Sequence, residues 1–457
     1  MSLLASALSL LGGCGGGSPP PPPPTTATQF SVSGPASTGA GFAFTFAVTA
    51  LDASNAVATS YSGKVHFTSS DPAAALPPDS ALTQGTGSFS ATLTSAGFQT
   101  ITATDTALAS LRASLRVTAV AGEFPVTSFG ARGDGHTDDT AAIQSAINAA
   151  SAAGGGSVVL SVARYFTSGT LVVPAGVVLT GPTEGPFDVG GVNPATTTVA
   201  ATLLITNTSR PFLTLQGVGA GVTDLLFHYP SQVHTSATAP NVYPYTILVT
   251  APGTKVARCT MTNAYDFLDI ESGRVMAEDL FIGAFHNDIK VDHAYDHVTL
   301  RHLVHSVFWD ILENVPGFFS PIDVWVLANG TALVVGHVDS LEVSDLFTIT
   351  RGTGILLTDS SDASQSIRCG YGTGSDIDLE GVVHGIVVTA SNSPGYKFTN
   401  VDFNAQGSIG QAAVQVNSGG SMPPKIAIVG GWQSGNWALG AFPPPPVGEL
   451  VVVNFLP

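Results

Sequence analysis

The chain has 457 residues, 51 of them Gly and 30 Pro, and only 10% carry a charged side chain. Ordinary globular domains carry about 25% charged residues, so this composition is typical of an extracellular β-rich protein, and the length allows roughly two to four domains. The formal net charge of −17 excludes a nucleic-acid partner, which would be bound through clustered Lys and Arg. It also disfavours strongly acidic polysaccharides, unless a local basic patch binds them.

Residues 1–28 resemble an export signal followed by a tether. Residues 1–13 form an apolar run ending in small residues, and Leu11-Gly12-Gly13-Cys14 resembles a bacterial lipobox. That resemblance implies a lipid on Cys14 and a lipoprotein of the outer membrane or cell surface; without the lipid the protein would be secreted. Residues 14–28, Gly/Ser and then six prolines, predict a flexible and then semi-rigid tether. No later apolar run reaches the roughly 18 residues that span a bilayer, so the lipid is the expected membrane contact.

Residues 29–121 predict a β-sandwich. Apolar and polar residues alternate in short runs such as AGFAFTFAVTALDASN, with Gly, Pro, Ser and Asp turn signals between the runs. Together with KVHFTSSD and GSFSATLTSAGFQTITATD, this stretch resembles bacterial Ig-like modules. Since no cluster of His, Asp or Cys accompanies it, we expect a spacer without chemistry.

Residues 122–457 open with a long motif of fixed order. A helix is predicted from about residue 139 to 150, capped by Thr137 or Asp138, with one apolar stripe that must lie on a hydrophobic surface. The block FPVTSFGARGDGHTDDTAAIQSAINAASAAGGGSVVL resembles the start of the pectate-lyase-like, rhamnogalacturonase/epimerase-like family. That resemblance implies an all-β, right-handed parallel β-helix whose open first coil is capped by the helix. Turn and cap roles are expected for three acidic residues, Asp134, Asp138 and Asp139.

Downstream, apolar pairs recur with the spacing of a β-solenoid. The first four pairs follow one another at nearly equal steps and are Ile247/Val249, Leu268/Ile270, Ile289/Val291 and Trp309/Ile311. A second strand follows most pairs, and a step of about 21 residues predicts coils that bury their inward residues on one another. With longer loops the pairs continue as Leu333/Val335, Ile355/Leu357, Ile386/Val388 and Val414/Val416. The runs Asn329-Gly330-Thr331-Ala332 and Gly336-His337-Val338-Asp339 also resemble a polygalacturonase-related subgroup.

Charged residues concentrate on three adjacent predicted coils. If the apolar pairs point inward, Asp269, Lys290 and Asp310 stack outward in one row, about 4.8 Å apart per coil. Glu271 and Asp292 would share a neighbouring row, and Phe267, Asp288 and Phe308 another. A carbohydrate site needs carboxylates for proton transfer and aromatic faces for sugar rings. The candidate catalytic residues are therefore Asp269, Lys290, Asp310, Asp292 and His293.

The sequence leaves two function classes open. In the first, the protein is an enzyme on extracellular polysaccharide. A separation of two coils, about 9.6 Å, between Asp269 and Asp310 would suit an inverting hydrolase. Lys290 would lower the pKa of its neighbours, and it would suit a lyase or epimerase in which it neutralises a uronate and His293 accepts the proton. In the second class, the protein is a non-catalytic carbohydrate-binding or structural protein of the cell surface, and Lys290 merely neutralises a ladder of aspartates.

Other polar residues are assigned structural roles. The catalytic motifs of polygalacturonases, pectate lyases and mannuronan epimerases are absent, so no family catalytic residue is transferred. No pattern predicts a cofactor, and calcium is left open as a ligand. We expect hydrogen-bonded structural roles for His302, His305 and His337, and buried, inert thiols at Cys259 and Cys369.

Overall fold

A computed structural model describes residues 26–182, 185, 193–232, 239–306, 321–364, 369–392, 394–404, 412–417, 424–434 and 449–456. Cys14 and the proposed signal and tether up to residue 25 lie outside the described residues. So do residues 307–320, which include Phe308, Trp309 and Asp310. Contacts divide the chain into two units, Met1–Ser37 with Ala43–Ala119 and Thr38–Phe42 with Val120–Pro457. Among the described residues, no helix combines the length and apolar character needed to cross a membrane.

The N-terminal unit consists of strands in two sheets. Its strands are β1 (Gln29–Ser33), β2 (Ser37–Gly39), β3 (Ala43–Leu51), β4 (Lys64–Ser69), β5 (Ser80–Ala81), β6 (Thr86–Thr92), β7 (Gly97–Asp105) and β8 (Arg112–Val120). One sheet has the order β1-β3-β6 and the other β2-β8-β7-β4-β5, and β1/β3, β3/β6, β4/β5, β4/β7 and β7/β8 pair antiparallel. Phe46 on β3 and Phe67 on β4 meet edge to face at 5.5 Å between ring centroids, and both contact Phe89. The alternating aromatic residues thus supply the core, while the resemblance to Ig-like modules stays a prediction.

The C-terminal unit contains the remaining described strands and helices. Its helices are the 3-10 helix Val126–Phe129, α1 (Thr140–Ala152) and α2 (Pro321–Asn329). Its strands are β9 (Glu123–Pro125), β10 (Asp134–Asp138), β11 (Gly156–Val159), β12 (Ala163–Thr167), β13 (Leu171–Val173), β14 (Val177–Thr180), β15 (Ala201–Ile205), β16 (Leu213–Leu215), β17 (Gly221–Thr223), β18 (Leu226–His228), β19 (Ile247–Val249), β20 (Lys255–Ala264), β21 (Leu268–Ile270), β22 (Val275–Ala284), β23 (Asn287–Val291), β24 (Ala294–Ser306), β25 (Thr331–Val335), β26 (Val338–Ile349), β27 (Thr353–Leu357), β28 (Gly372–Glu380), β29 (His384–Val388), β30 (Tyr396–Asn404), β31 (Ala412–Val416), β32 (Lys425–Ser434) and β33 (Glu449–Leu456).

These strands form a parallel β-helix, as predicted. The short-strand sheet has the order β13-β16-β19-β21-β23-β25-β27-β29-β31. The long-strand sheet has the order β10-β12-β15-β18-β20-β22-β24-β26-β28-β30-β32-β33, with β9, β11, β14 and β17 joined beside this path. From β19 onward each coil adds one strand to each sheet, and all the described neighbours pair in parallel. One continuous hydrophobic core runs inside the coils.

Most of the predicted coil register is confirmed, with one error. Ile247, Leu268 and Ile289 are direct neighbours in the short-strand sheet. The next neighbour of Ile289 is Leu333, however, and not Trp309. The strand that follows β23 in this sheet is therefore the one that holds Leu333 and Val335. The regular step of the preceding coils suggested that pair, whereas the connection actually continues through β24 and α2 before the sheet resumes.

Helix α1 begins one residue later than predicted, and Asp138, one of the two predicted caps, bonds its first residue. Its Ile143, Ile147 and Ala150 are fully buried in the core, which confirms the apolar stripe. The backbone N-cap is Asp139, yet the side chain that accepts the Thr140 N–H is that of Asp138, at 3.0 Å. Asp139 instead accepts backbone N–H groups of Arg132 and Gly133, and Asp134 those of His136 and Thr137. All three aspartates therefore serve turns and caps, as expected.

A residue with positive φ bends each long strand at one corner. Arg258, Asp279 and His302 lie side by side on successive coils, with φ of 49°, 54° and 49°. Their side chains bond along the row, because the Arg258 guanidinium pairs with Asp224 at 2.7 Å and His302 Nδ1 lies 2.7 Å from Asp279 Oδ1. His302 is thus a structural residue, as predicted. We call Asp224, Arg258, Asp279, His302, Asp345, Asp376 and Asn400 the corner row.

Candidate functional site

Asp269 and Lys290 occupy adjacent positions of one outward row on the short-strand sheet. Leu248 precedes them and Val334 follows them in register. The expected third charge, Asp310, does not take the position beside Lys290, because Val334 holds it. The predicted row of Asp269, Lys290 and Asp310 is therefore wrong, and with it the two-coil separation of carboxylates that suggested an inverting pair.

The carboxyl group of Asp269 is buried, and only one of its two oxygens has a hydrogen-bond partner. Its Oδ2 lies 3.2 Å from the Lys290 Nζ, while its Oδ1 has no hydrogen-bond partner. Burial raises the pKa of Asp269 to about 6, although the Lys290 ammonium acts to lower it. Lys290 does act in the direction expected, yet desolvation outweighs it. A carboxyl that exchanges its proton near pH 6 is suited to acid–base chemistry.

Asp292 lies just after β23, and its carboxylate is surrounded by hydrogen-bond donors that give it a structural role. Its carboxylate accepts hydrogen bonds from the backbone N–H groups of His293 and His337 and from both the N–H and the hydroxyl of Ser361, at 2.8–3.0 Å. Burial acts to raise the pKa of Asp292, but these donors prevail and hold it at about 2. A Cβ at Gly336 would lie 2.5 Å from Asp292 Oδ1, so this glycine leaves room for the carboxylate. Asp292 therefore anchors loops and is a poor proton acceptor.

His293 lines a cavity beside this anchor. Its φ is 55°, and its Nδ1 lies 3.9 Å from Glu271 while its Nε2 lies 3.8 Å from Asp292. The Nε2 atom is buried without a hydrogen bond. A cavity of about 280 Å³ adjoins the ring, and its lining includes Glu271, Arg274 and Tyr295. His293 is thus close to Glu271, but it is held at the corner after β23 and not in the row of Asp269.

A histidine–aspartate pair that the sequence reasoning did not assign lies just before these strands. Nδ1 of His286 is 2.9 Å from Asp266 Oδ1, and the same oxygen accepts the Asn287 N–H at 2.7 Å. Because a carboxylate can only accept, the contact with Asp266 takes His286 Nδ1 as the donor and leaves Nε2 as the basic nitrogen; the Asn287 side-chain amide nitrogen also lies 3.0 Å from Nδ1. Asp266 is buried, whereas about a third of the His286 side chain is exposed. This arrangement orients a base toward solvent.

Two aromatic rings flank His286. Tyr265 stacks on the imidazole with centroids 4.8 Å apart and planes at 25°, and Trp325 of α2 lies 6.0 Å from Tyr265 and 6.4 Å from His286. Helix α2 is fixed here because its Ile322 and Val326 pack on Phe285. We call Tyr265, His286 and Trp325 the wall. The sequence indicated part of it, since Tyr265 and His286 are separated by one regular coil step.

Tyr245 joins the same polar group one coil earlier. Burial, together with the negative charges of Asp266 and Asp269, raises the pKa of Tyr245 well above its usual value. Asn287 forms a hydrogen bond with its hydroxyl. We refer to Tyr245, Asp266, Asp269, His286, Asn287 and Lys290 as the polar patch.

Asp288, predicted to face outward beside Phe267, is instead buried within the coil. The Arg351 guanidinium binds its carboxylate with two hydrogen bonds of 2.8 and 3.0 Å, and His305 Nδ1 lies 2.9 Å away. All three side chains have no exposed surface. The row containing Phe267 and Asp288 was therefore assigned to the wrong face. His305 serves this ion pair, in agreement with its predicted structural role.

The remaining polar expectations have clear outcomes in the described residues. His337 is buried, with Nε2 3.4 Å from Asp339. Cys259 and Cys369 are buried and form no disulfide bond among the described residues, and burial raises the pKa of Cys259 to about 12, as expected of an inert thiol. Within the described ranges, no group of three or more His, Cys, Asp or Glu side chains converges as metal ligands would.

Sequence comparison links the start of the β-helix to known proteins. Residues 124–208 match the family model of rhamnogalacturonase A/epimerase, pectate lyase-like proteins. A segment of 47 residues, 10% of this chain, is 62% identical to mannuronan C5-epimerase AlgE3 and 60% identical to alginate lyase 7, both of Azotobacter vinelandii. The chain spans only 3% and 6% of these two proteins. Over this segment it is therefore homologous to polysaccharide-acting β-helix proteins.

Solved structures with a similar course of the chain include two enzymes. The A-module of mannuronan C-5 epimerase AlgE4 of Azotobacter vinelandii is 16% identical, with a TM-score of 0.40 over 72% of this chain and 95% of that one. The exopolygalacturonase of Thermotoga maritima is 11% identical, with a TM-score of 0.44 over 73% of this chain and 91% of that one.

Proposed function

We propose that this protein is a polysaccharide-modifying enzyme whose reacting groups lie in the polar patch. The observation that carries the proposal is Asp269, a buried carboxyl with a pKa of about 6 that contacts Lys290. Lys290 in turn lies on the strand that begins next to the oriented His286. An acid, a cation and a base are thus presented by two adjacent coils. The epimerase and the lyase that match a 47-residue segment of the chain support the same class of substrate.

The arrangement supports proton transfer at a uronate residue better than hydrolysis. Lys290 would neutralise the sugar carboxylate and His286 Nε2 would take the C5 proton, because Asp266 holds the ring in the required tautomer. A bound uronate next to Asp269 would raise the pKa of that aspartate further, so that Asp269 carries a proton it can donate. Donation to O4 as the C4–O4 bond breaks leaves a C4=C5 double bond and is elimination. Return of a proton to the opposite face of C5 is epimerisation.

A second candidate function is carbohydrate binding without catalysis. The specific observation in its favour is that Asp269 and Lys290 neutralise each other at 3.2 Å, while Leu248 and Val334 on either side of them are apolar. Such a row resembles a charge-balanced surface as much as a reaction centre.

The test is turnover by matched variants on a panel of polymannuronate, alginate, polygalacturonate and neutral glucans. Products are measured as ultraviolet absorbance of the unsaturated uronate for elimination, reducing ends for hydrolysis, and deuterium incorporation at C5 by NMR for epimerisation. We expect Asp269→Asn, Lys290→Met and His286→Gln to abolish the product that the wild type forms. His302→Gln and Lys255→Met, both outside the polar patch, are the controls and should retain it. If the wild type binds a glycan but yields no product of any kind, the binding function replaces the enzymatic one.

We also propose that the protein is anchored at the cell surface through Cys14, on the strength of the lipobox-like stretch and the Pro-rich tether. Cys14→Ser should move the protein from the membrane fraction to the soluble fraction and remove a lipid-sized increment from its intact mass. A membrane-bound Cys14→Ser protein with unmodified wild-type mass would contradict the anchor.

A further inference from the structure

A second, larger groove crosses the C-terminal part of the long-strand sheet. It has a volume of about 570 Å³ and is lined by residues of five strands, β24, β26, β28, β30 and β32. Neighbouring strands lie about 4.8 Å apart, so the groove extends roughly 19 Å along the axis of the β-helix. It shares no lining residue with the polar patch.

The floor of the groove carries a small side chain in its middle, and the two ends of the groove differ in charge. Thr373, on the middle strand β28, lies in the outward row that also holds Glu342 and Lys397, so a small side chain leaves the middle open. Tyr371 and Pro394 add flat apolar surface to the lining. A long cavity with apolar faces and a few polar groups is suited to an extended oligomer.

Two lysines define the chemistry of one end. Lys397 and Lys425 are both exposed and both line the groove. Elsewhere in the β-helix, Lys255, Lys290 and Arg274 pair with carboxylates. Among the residues whose side chains the structure describes, by contrast, Lys397 forms no ion pair with a carboxylate. Glu449 takes the register position beside Lys425 on β33, whereas the uncharged residues Thr373 and Ala427 flank Lys397.

The opposite end is a hydrogen-bonding group without net positive charge. His297 lies 3.1 Å from the Ser340 hydroxyl through Nδ1 and 2.9 Å from the Thr299 hydroxyl through Nε2, and its Nε2 is 3.5 Å from Glu342. These groups suit sugar hydroxyls, which both donate and accept. The groove therefore offers cations at one end and hydroxyl partners at the other.

We propose that this groove is a binding site for an acidic oligosaccharide, with a sugar carboxylate on Lys397 and Lys425 and neutral hydroxyls toward His297. In a chain with a net charge of −17, a local pair of exposed lysines is the feature that would let an acidic glycan approach. The site is separate from the polar patch. It does not require that the patch be catalytic.

The proposal is tested by titrating the full chain with mannuronate and galacturonate hexasaccharides and with neutral maltohexaose. We expect binding of an acidic hexasaccharide that weakens with added salt, and no comparable binding of maltohexaose. Lys397→Met should weaken the binding about tenfold, and the double variant with Lys425→Met should weaken it further, since each loses a charged hydrogen bond. Lys397→Arg should retain most of the affinity.

Two controls separate this site from the proposed reaction centre. Lys64→Met, in the N-terminal unit, removes an exposed lysine far from the groove in sequence and should leave the affinity unchanged. Asp269→Asn should abolish turnover but not binding to the groove. Wild-type affinity in the Lys397/Lys425 double variant, or equal binding of the neutral hexasaccharide, would overturn the groove site. Absence of turnover in the wild type, with lysine-dependent binding retained, would overturn only the enzymatic proposal.

Discussion

Asp269 and Asp292 are buried aspartates on adjacent coils, yet they differ in every chemical respect. Asp269 has a single cation beside it and an unsatisfied Oδ1, and its pKa is raised to about 6. Asp292 receives hydrogen bonds from several backbone and hydroxyl donors, and its pKa is lowered to about 2. Burial is common to both. The number of donors decides whether a carboxyl becomes an anchor or a titrating group.

Asp288 extends the comparison to a carboxylate bound by a buried guanidinium, and its loss should have the largest effect. Asp288→Ala leaves Arg351 as an uncompensated charge inside the coil, so we expect a loss of about 4 kcal/mol in the free energy of unfolding. The measurement is the urea midpoint of the β-helix transition, followed by circular dichroism. Asp339→Ala, at a half-exposed carboxylate, is the control and should change the midpoint little. Equal midpoints in the two variants would show that the buried pair contributes no more than a surface charge.

The anchoring role of Asp292 predicts a coupling with Gly336. Asp292→Ala should cost about 3 kcal/mol, because several buried N–H groups lose their acceptor. Gly336→Ala should also destabilise the fold, since the new Cβ would meet Asp292 Oδ1 at 2.5 Å. In the double variant that clash is gone, so the combined loss should fall short of the sum of the two by about 1 kcal/mol. Strict additivity in urea unfolding would mean that the carboxylate does not occupy the space above Gly336.

The free energy of unfolding should change with pH in opposite directions for Asp269 and Asp292. These changes should be smaller than the losses expected from the substitutions above. Because the folded state raises the pKa of Asp269 from 3.8 to about 6, its protonated form contributes stability below pH 4 that is lost as the pH rises through 6. We expect about 2 kcal/mol, less than the full shift implies, since the patch is partly solvated. Asp292, with its lowered pKa, contributes above pH 4 and loses that contribution as the pH falls toward 2.

The check is the urea midpoint of the wild type and Asp269→Asn between pH 4 and 7. The wild-type midpoint should fall across this range, and the asparagine variant should remove most of the fall. An identical pH profile in both proteins would show that Asp269 titrates at an ordinary value.

The fold was predictable from the sequence because its signals are periodic. The equal steps from Ile247 to Ile289 report the length of one coil, and the stripe of α1 reports the surface that it covers. The step to Trp309 misled because the chain makes a long excursion through α2 before Leu333 resumes the sheet. A regular spacing of apolar pairs cannot reveal where a longer segment is inserted between two coils.

The candidate site was predictable only in part. The predicted register already placed Asp269 beside Lys290. It did not predict the pKa of Asp269, which depends on whether desolvation outweighs the lysine charge, because burial depends on neighbours from several coils. Asp288 illustrates the same limit, since its partner Arg351 lies 63 residues away in sequence. The wall of Tyr265, His286 and Trp325 needed both the regular coil step and the position of α2, and only the step is visible in the sequence.

The corner row has a consequence for how such a protein could be lengthened. Each coil turns at one residue whose backbone is left-handed, a conformation that costs an ordinary side chain about 1 kcal/mol. A coil spliced in by gene duplication therefore has to carry its own tolerant residue at that place, and residues 258–278, from one corner to the next, already form such a cassette. Tandem copies of this cassette should add whole turns in frame, whereas an insert that lacks a tolerant residue at the bend would force the left-handed conformation on a residue that disfavours it.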